Sequence, residues 1–218
     1  VAAVSEAGAF GMLALGYITD TEVVKKMVSE VKELTDKPFG ANLMIAMNPS
    51  NEAILETLAE FGVGVVTTSA GSPKKIYPKI KELGMKGLQV TLSSVLAAKA
   101  AEAGVDGVVV SGAESGGLRS TGPESTNFIL VPLTCDCVEV PVVAAGGIAD
   151  HRGYQAAMAL GAQGVQLGTV MLTAEESTAC QAWKDAILTA GDAGTTLLPM
   201  GNMGMRTIIN PKLNKLIA

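Results

Sequence analysis

The feature that most constrains this chain is one repeated local pattern. A short, continuous apolar run is followed by an amphipathic helix that stops at glycine. The helix-to-strand junctions read Phe61-Gly62, Leu83-Gly84, Ala103-Gly104 and Leu160-Gly161. Glycine there takes the left-handed conformation that ends a helix without a Cβ clash. Strand-like runs fall at 10–15, 39–45, 63–70, 87–92, 107–111, 141–145 and 164–167. They are apolar throughout rather than alternating, as in a parallel sheet covered on both faces. Helix-like runs lie between them. The first, 21–35, follows a cap at Asp20 or Thr21 and repeats apolar residues at helical spacing. Others are 52–61 (after Pro49-Ser50-Asn51), 73–83, 94–103, 153–160 and 175–189.

Strict β-then-α alternation implies a single α/β domain, either a (β/α)8 TIM barrel or a doubly wound sheet. The barrel is favoured, because no switch point interrupts the repeat and no GxGxxG opens the chain. A closed barrel needs eight strands, and the sequence supplies seven runs. The chain opens in a helix-like stretch, so the missing first strand is expected ahead of residue 1, and the chain is expected to be truncated. The barrel domain is expected to cover 1–194. The segment 195–218 reads as a Gly/Met-rich loop followed by a basic helix or extended segment that packs on the barrel.

The 218 residues are 48% hydrophobic, enough for a large core. No apolar run reaches the ~18–20 residues of a membrane span, and no signal peptide is evident. With a net charge of −5, scattered Lys and Arg and 4% aromatics, nucleic acid is not an expected partner. The odd set Cys135, Cys137 and Cys180 points to reduced thiols and a cytoplasmic setting. Cys135 and Cys137 are two apart on an expected helix and so point in different directions. One histidine and no CxxC leave no metal site in view.

Two units concentrate the chemistry. In Pro141-Val-Val-Ala-Ala-Gly-Gly-Ile-Ala-Asp150, an apolar run meets a Gly-Gly pair at the start of a helix. The second unit is Gly164-Val-Gln-Leu-Gly-Thr-Val-Met171. Gly146, Gly147 and Gly168 let backbone N–H groups approach an anion, and the following helix adds its positive end. Barrels commonly hold phosphate after their last two strands. The competing reading is two ordinary βα turns. The run Ser111-Gly-Ala-Glu-Ser-Gly-Gly-Leu-Arg-Ser-Thr-Gly122 is a long glycine-rich loop at a strand end, either a ligand loop or a flexible surface segment. Asn42, inside a strand, bonds a ligand or a backbone carbonyl. Thr91, Ser93 and Ser94 touch a ligand or cap the next helix. Arg119 steers an anionic substrate or is simply solvated. His151 reads as a surface residue. With no Ser-His-Asp set, no Cys-His set and no paired carboxylates, an organic cofactor is expected to carry the reaction.

Five segments in register resemble the nitronate monooxygenase (2-nitropropane dioxygenase-like) family, nearest its FMN-dependent enoyl-acyl-carrier-protein reductase II branch. They are Lys37-Pro-Phe-Gly-Ala-Asn-Leu43, Val66-Thr-Thr-Ser-Ala-Gly-Ser-Pro73, Ser111-Gly-Ala-Glu-Ser-Gly-Gly117, Val142-Val-Ala-Ala-Gly-Gly-Ile-Ala-Asp150 and Val165-Gln-Leu-Gly-Thr169. The resemblance implies a TIM barrel with FMN at the C-terminal strand ends. It assigns Gly146, Gly147, Gly168 and Thr169, with the Ala145 backbone, to the FMN phosphate. Asn42 and Met44 would lie near the isoalloxazine, Thr91 and Ser111 near the flavin or its ribityl chain, and Gly116 and Gly117 beside the ring. The family's catalytic histidine position is Leu118 in this chain, and leucine cannot act as a base.

The expected activity is an FMN-dependent oxidoreductase that takes hydride from NAD(P)H and passes it to an enoyl thioester, quinone or similar acceptor. The alternatives are oxidation of alkyl nitronates, a non-catalytic flavin- or phosphate-binding barrel, and a flavin-free phosphate-binding isomerase or synthase. The expected partners are a small-molecule or acyl-thioester substrate and, as in many such barrels, a second copy of the chain.

Overall fold

A computed structural model describes residues 1–201 and 203–210. Helix α1 (Ala2–Glu6) leads into β1 (Gly11–Ala14), α2 (Thr21–Leu34), β2 (Phe39–Met44), α3 (Asn51–Glu60) and β3 (Val65–Ser69). The alternation continues through α4 (Tyr77–Glu82), β4 (Lys86–Thr91), α5 (Ser94–Glu102) and β5 (Gly107–Ser111). A short strand β6 (Gly117–Ser120) precedes α6 (Asn127–Cys135), β7 (Val142–Ala145), α7 (His151–Ala159) and β8 (Gly164–Gln166). The chain then forms α8 (Thr169–Leu172), α9 (Gln181–Thr189), β9 (Thr195–Met200) and β10 (Met203–Ile208).

Seven strands pair in parallel in the order β1-β2-β3-β4-β5-β7-β8, the curled wall of a TIM-type barrel. All seven expected strands are present in their expected order. Strands β1 and β8 are the outer strands of this wall and are not paired with each other. The core lies between wall and helices. Val24, Val28 and Val31 of α2, Ile54, Leu55 and Leu58 of α3, and Leu130 and Val131 of α6 close over it. Asp20 and Ser93 cap α2 and α5 through their side chains, accepting from the N–H groups of Glu22 and Leu96.

Three expectations are corrected. The helix expected at 73–83 is regular only over α4, where Ile76 and Pro78 set a late start. The helix expected at 175–189 begins at Gln181, after the separate turn α8. The Gly/Met-rich segment is not a loop. It is the antiparallel hairpin β9–β10, whose second strand pairs with β6 and converts part of the glycine-rich loop into sheet. Two residues, Gly201 and Asn202, separate the paired Met200 and Met203, a spacing typical of a tight hairpin. That Gly-Asn pair was the available signal. The basic segment 211–218 lies outside the described residues. Cys135 ends α6 and Cys137 lies beyond it; these two and Cys180 are free thiols.

Candidate active site

Residues paired across parallel strands point to the same side of the sheet, and successive residues alternate. Leu43, Val66, Val110 and Ala144 belong to the helix-facing core. Their neighbours Asn42, Thr67, Ser111 and Ala145 therefore face the barrel interior, and register places Asn42 beside Thr67 and Ser111 beside Ala145. Asn42 Nδ2 donates to Thr67 Oγ1 at 2.9 Å. Met44, two residues on, shares this face and packs against Gly16, where a Cβ would stand 2.5 Å from its sulfur. Gln166, which the sequence reading overlooked, pairs with Ala145 and joins the interior set.

Thr91 does not join it. It pairs with Val110 and lies on the helix-facing side, its hydroxyl buried and without a hydrogen-bond partner. The flavin-side placement expected for Thr91 is thus corrected by strand parity: a one-residue step moves a side chain to the opposite face.

At the end of β7, Gly146 and Gly147 adopt φ of +101° and +71°. A Cβ on Gly146 would meet Ser115 Oγ at 2.0 Å, so the turn admits only glycine there. Next to it, a Cβ on Gly168 would meet nothing within 4 Å, and one on Gly116 would stand 3.5 Å from Thr169 Oγ1. Three expected site segments thus converge: the turn after β7, the Gly168–Thr169 step and the Gly116–Gly117 loop. Among the described residues, the N–H groups of Gly146, Gly147, Gly168 and Thr169 donate to no protein acceptor. Bare donors in a glycine cradle with open space beside it fit the phosphate of FMN.

Arg119 also departs from its expected role. It is 3% exposed, and its guanidinium is committed within the protein. Nε and Nη2 donate to Glu124 Oε2 at 3.1 and 2.9 Å, Nη1 to Ser111 Oγ at 2.8 Å and Nη2 to the Ser111 carbonyl at 3.0 Å. Ser111 Oγ in turn donates to Ser115 Oγ at 2.8 Å, and Ser115 to the Ala145 carbonyl at 3.3 Å. Arg119 is therefore an anchor that ties the β5–β6 loop to β5 and β7, not a cation open to substrate. Leu118, on the opposite face of β6, pairs with Met205 of β10 and is half-buried. His151 is exposed at the start of α7. The helix is capped by Asp150, whose carboxyl the hydrogen-bonded Arg152 holds down at about 2.

Two cavities, of about 310 and 450 Å³, open at the other end of the barrel. The first is lined by residues such as Val140, Pro141 and Gln163, the second by Phe10, Pro38 and Val63. Both sit at the N-terminal ends of strands, the face that in barrels serves stability rather than chemistry.

Fold and site together define a parallel (β/α)-barrel protein with a glycine turn and unengaged backbone donors at the C-terminal strand ends. The nitronate monooxygenase family model matches residues 1–217, and the chain belongs to that family. It is 37% identical to (3aS,4S,5R,7aS)-5-hydroxy-7a-methyl-1-oxo-octahydro-1H-indene-4-carboxyl-CoA dehydrogenase of Rhodococcus jostii, over 90% of this chain and 54% of that protein. It is 34% identical to a probable nitronate monooxygenase of Staphylococcus saprophyticus, over 90% of this chain and 67% of that protein. The structure of FabK from Thermotoga maritima superposes with a TM-score of 0.90 at 38% identity, covering 99% of this chain and 68% of that one. The chain thus spans between about half and two-thirds of the length of these relatives.

Proposed function

We propose that this chain carries the FMN site of an oxidoreductase that takes hydride from NAD(P)H and passes it to an acyl-thioester acceptor of the enoyl type. The observation that carries the reading is the positive-φ Gly146–Gly147 turn, with its unengaged N–H donors beside Gly168 and Thr169. These residues would hold the phosphate, and Asn42, Met44 and Gln166 would line the interior face on which the ring rests. FMN held by these residues would supply the redox chemistry of hydride transfer. The protein's part is to fix the phosphate, keep the interior dry and leave the Gly116–Gly117 edge low enough for a flat ligand. A relative named for a carboxyl-CoA substrate supports a thioester acceptor. Leu118 disfavours nitronate oxidation, because it has no atom that accepts a proton.

The test is an absorption spectrum of the purified protein followed by anaerobic NADH and NADPH. Bands near ~375 and ~450 nm that bleach with either donor support the reading, with the cofactor as redox centre. Flavin bands that persist with both donors but bleach with an alkyl nitronate would replace it with nitronate oxidation. Bands that bleach with none would leave a non-catalytic flavin barrel, and a colourless protein that takes up no added FMN would end the flavin reading.

A further inference from the structure

We infer that Asn127 positions the phosphate turn, holding the carbonyls of Ala145 and Gly146 on one side so that the N–H groups of Gly146 and Gly147 face the other. This rests on the FMN reading above and assigns a role to a residue that carries no motif.

Asn127 is the first residue of α6 and is 9% exposed. Its Nδ2 donates to the Ala145 carbonyl at 3.0 Å and to the Gly146 carbonyl at 2.7 Å. The Ala145 carbonyl also accepts from the Gly112 N–H at 3.0 Å and from Ser115 Oγ at 3.3 Å. In a trans peptide the C=O and the following N–H point in opposite directions. Holding these two carbonyls toward α6 therefore sends the next two N–H groups, those of Gly146 and Gly147, away from it. Two adjacent N–H groups turned to the same side form an anion-binding nest.

The orientation of the amide supports the same reading. Asn127 Oδ1 is buried and accepts no hydrogen bond. The flipped amide would set that oxygen against two carbonyl oxygens, so the side chain is placed for donation alone. The Glu114 carboxylate holds the Asn127 N–H at 3.0 Å and seats the residue at the helix start. The Glu114 side chain lies close under the turn, its Cβ 3.1 Å from where a Cβ on Gly147 would stand. With Asn127 removed, the Gly146 carbonyl loses its donor and is free to rotate toward the anion, opposing the phosphate with its own partial negative charge.

The experiment compares the binding of FMN and of riboflavin, which lacks the phosphate, by flavin fluorescence on the parent protein, Asn127→Ala and Ser115→Ala. The parent is expected to prefer FMN. Asn127→Ala should weaken FMN about ten-fold, the loss of one or two hydrogen bonds' worth of organisation, and leave riboflavin within about two-fold. Ser115→Ala, which removes the longer bond to the Ala145 carbonyl and the acceptor of Ser111 Oγ, should show the same selective loss at smaller size. It decides the matter if Asn127→Ala does not fold. Equal weakening of both ligands, or of neither, overturns the positioning role. A parent protein with no preference for FMN over riboflavin would instead overturn the phosphate reading on which it rests.

Discussion

Arg119 and Glu124 form an ion pair at 2.9 Å with side chains 1% and 8% exposed. Desolvating two charges is costly, and a pair of this kind earns its place through geometry more than net energy. Here the geometry is a chain from Glu124 through Arg119, Ser111 and Ser115 to the Ala145 carbonyl.

Removing one partner strands the other. Arg119→Met or Glu124→Gln alone should lower unfolding free energy by about 3–5 kcal/mol, whereas Arg119→Met combined with Glu124→Gln should cost less than the sum. Urea denaturation of the three variants measures this. Additive losses would show that the two charges act independently.

The two glycine positions should respond differently to alanine. Gly146→Ala meets both the strained φ and Ser115 Oγ, and should cost about 1–3 kcal/mol of stability as well as FMN binding. At Gly168, φ is −120° and the added methyl meets nothing, so Gly168→Ala should melt with the parent protein while weakening FMN. Thermal melts with and without FMN separate the two effects. A Gly168→Ala variant that binds FMN normally would place the phosphate elsewhere.

Leu118→His tests the missing base. The residue is half-buried on a short strand, so the substitution should be tolerated. A proton acceptor at that position should raise anaerobic flavin reduction by an alkyl nitronate by about 10²-fold or more. No gain would mean that β6 presents this side chain away from the substrate.

The acid limb of stability should depend on Asp106. Burial raises its carboxyl, but hydrogen bonds from the Gly87 N–H, Lys86 and Tyr77 outweigh burial, and the net shift is below the usual carboxylate range. A depressed carboxyl stabilises the fold above its unfolded value of about 3.9 and loses that contribution as pH falls through the folded value. Asp106→Asn should therefore flatten the loss of stability below about pH 4, read from denaturation curves between about pH 2 and 6. Tyr77 is buried and both donates to Asp106 Oδ2 at 3.2 Å and accepts from the Asp106 N–H at 2.8 Å. Burial pushes its phenol well above the ordinary value. Tyr77→Phe should cost about 1–2 kcal/mol and move the acid limb to higher pH.

Much of this molecule was legible in the sequence because its determinants are local. Continuous apolar runs, helical spacing of valines in α2 and terminal glycines define βα units one at a time, and their order leaves few parallel arrangements. The glycines at 146 and 147 were legible for the same reason, since only glycine suits such positive-φ backbone, and Gly168 was legible as a strand end that leaves room beside it. The hairpin β9–β10 was not read, because its strands mix methionine, glycine and proline in a weak pattern. They are held by pairing with β6, some eighty positions earlier in the chain.

What the sequence by itself determined was the wall of parallel strands and the glycine turns at its C-terminal end. What only the tertiary structure decided was the direction in which each side chain points. Strand register turned Thr91 toward the helices and Gln166 toward the interior. Folding carried Glu124 back to Arg119, making a buried anchor of an arginine that in sequence looks free to meet substrate. It also brought Asn127, a residue outside any motif, against the carbonyls of the glycine turn. Each of these outcomes depends on a contact that only the folded chain brings about or on the parity of a strand, and neither can be read from the identity of the residue alone.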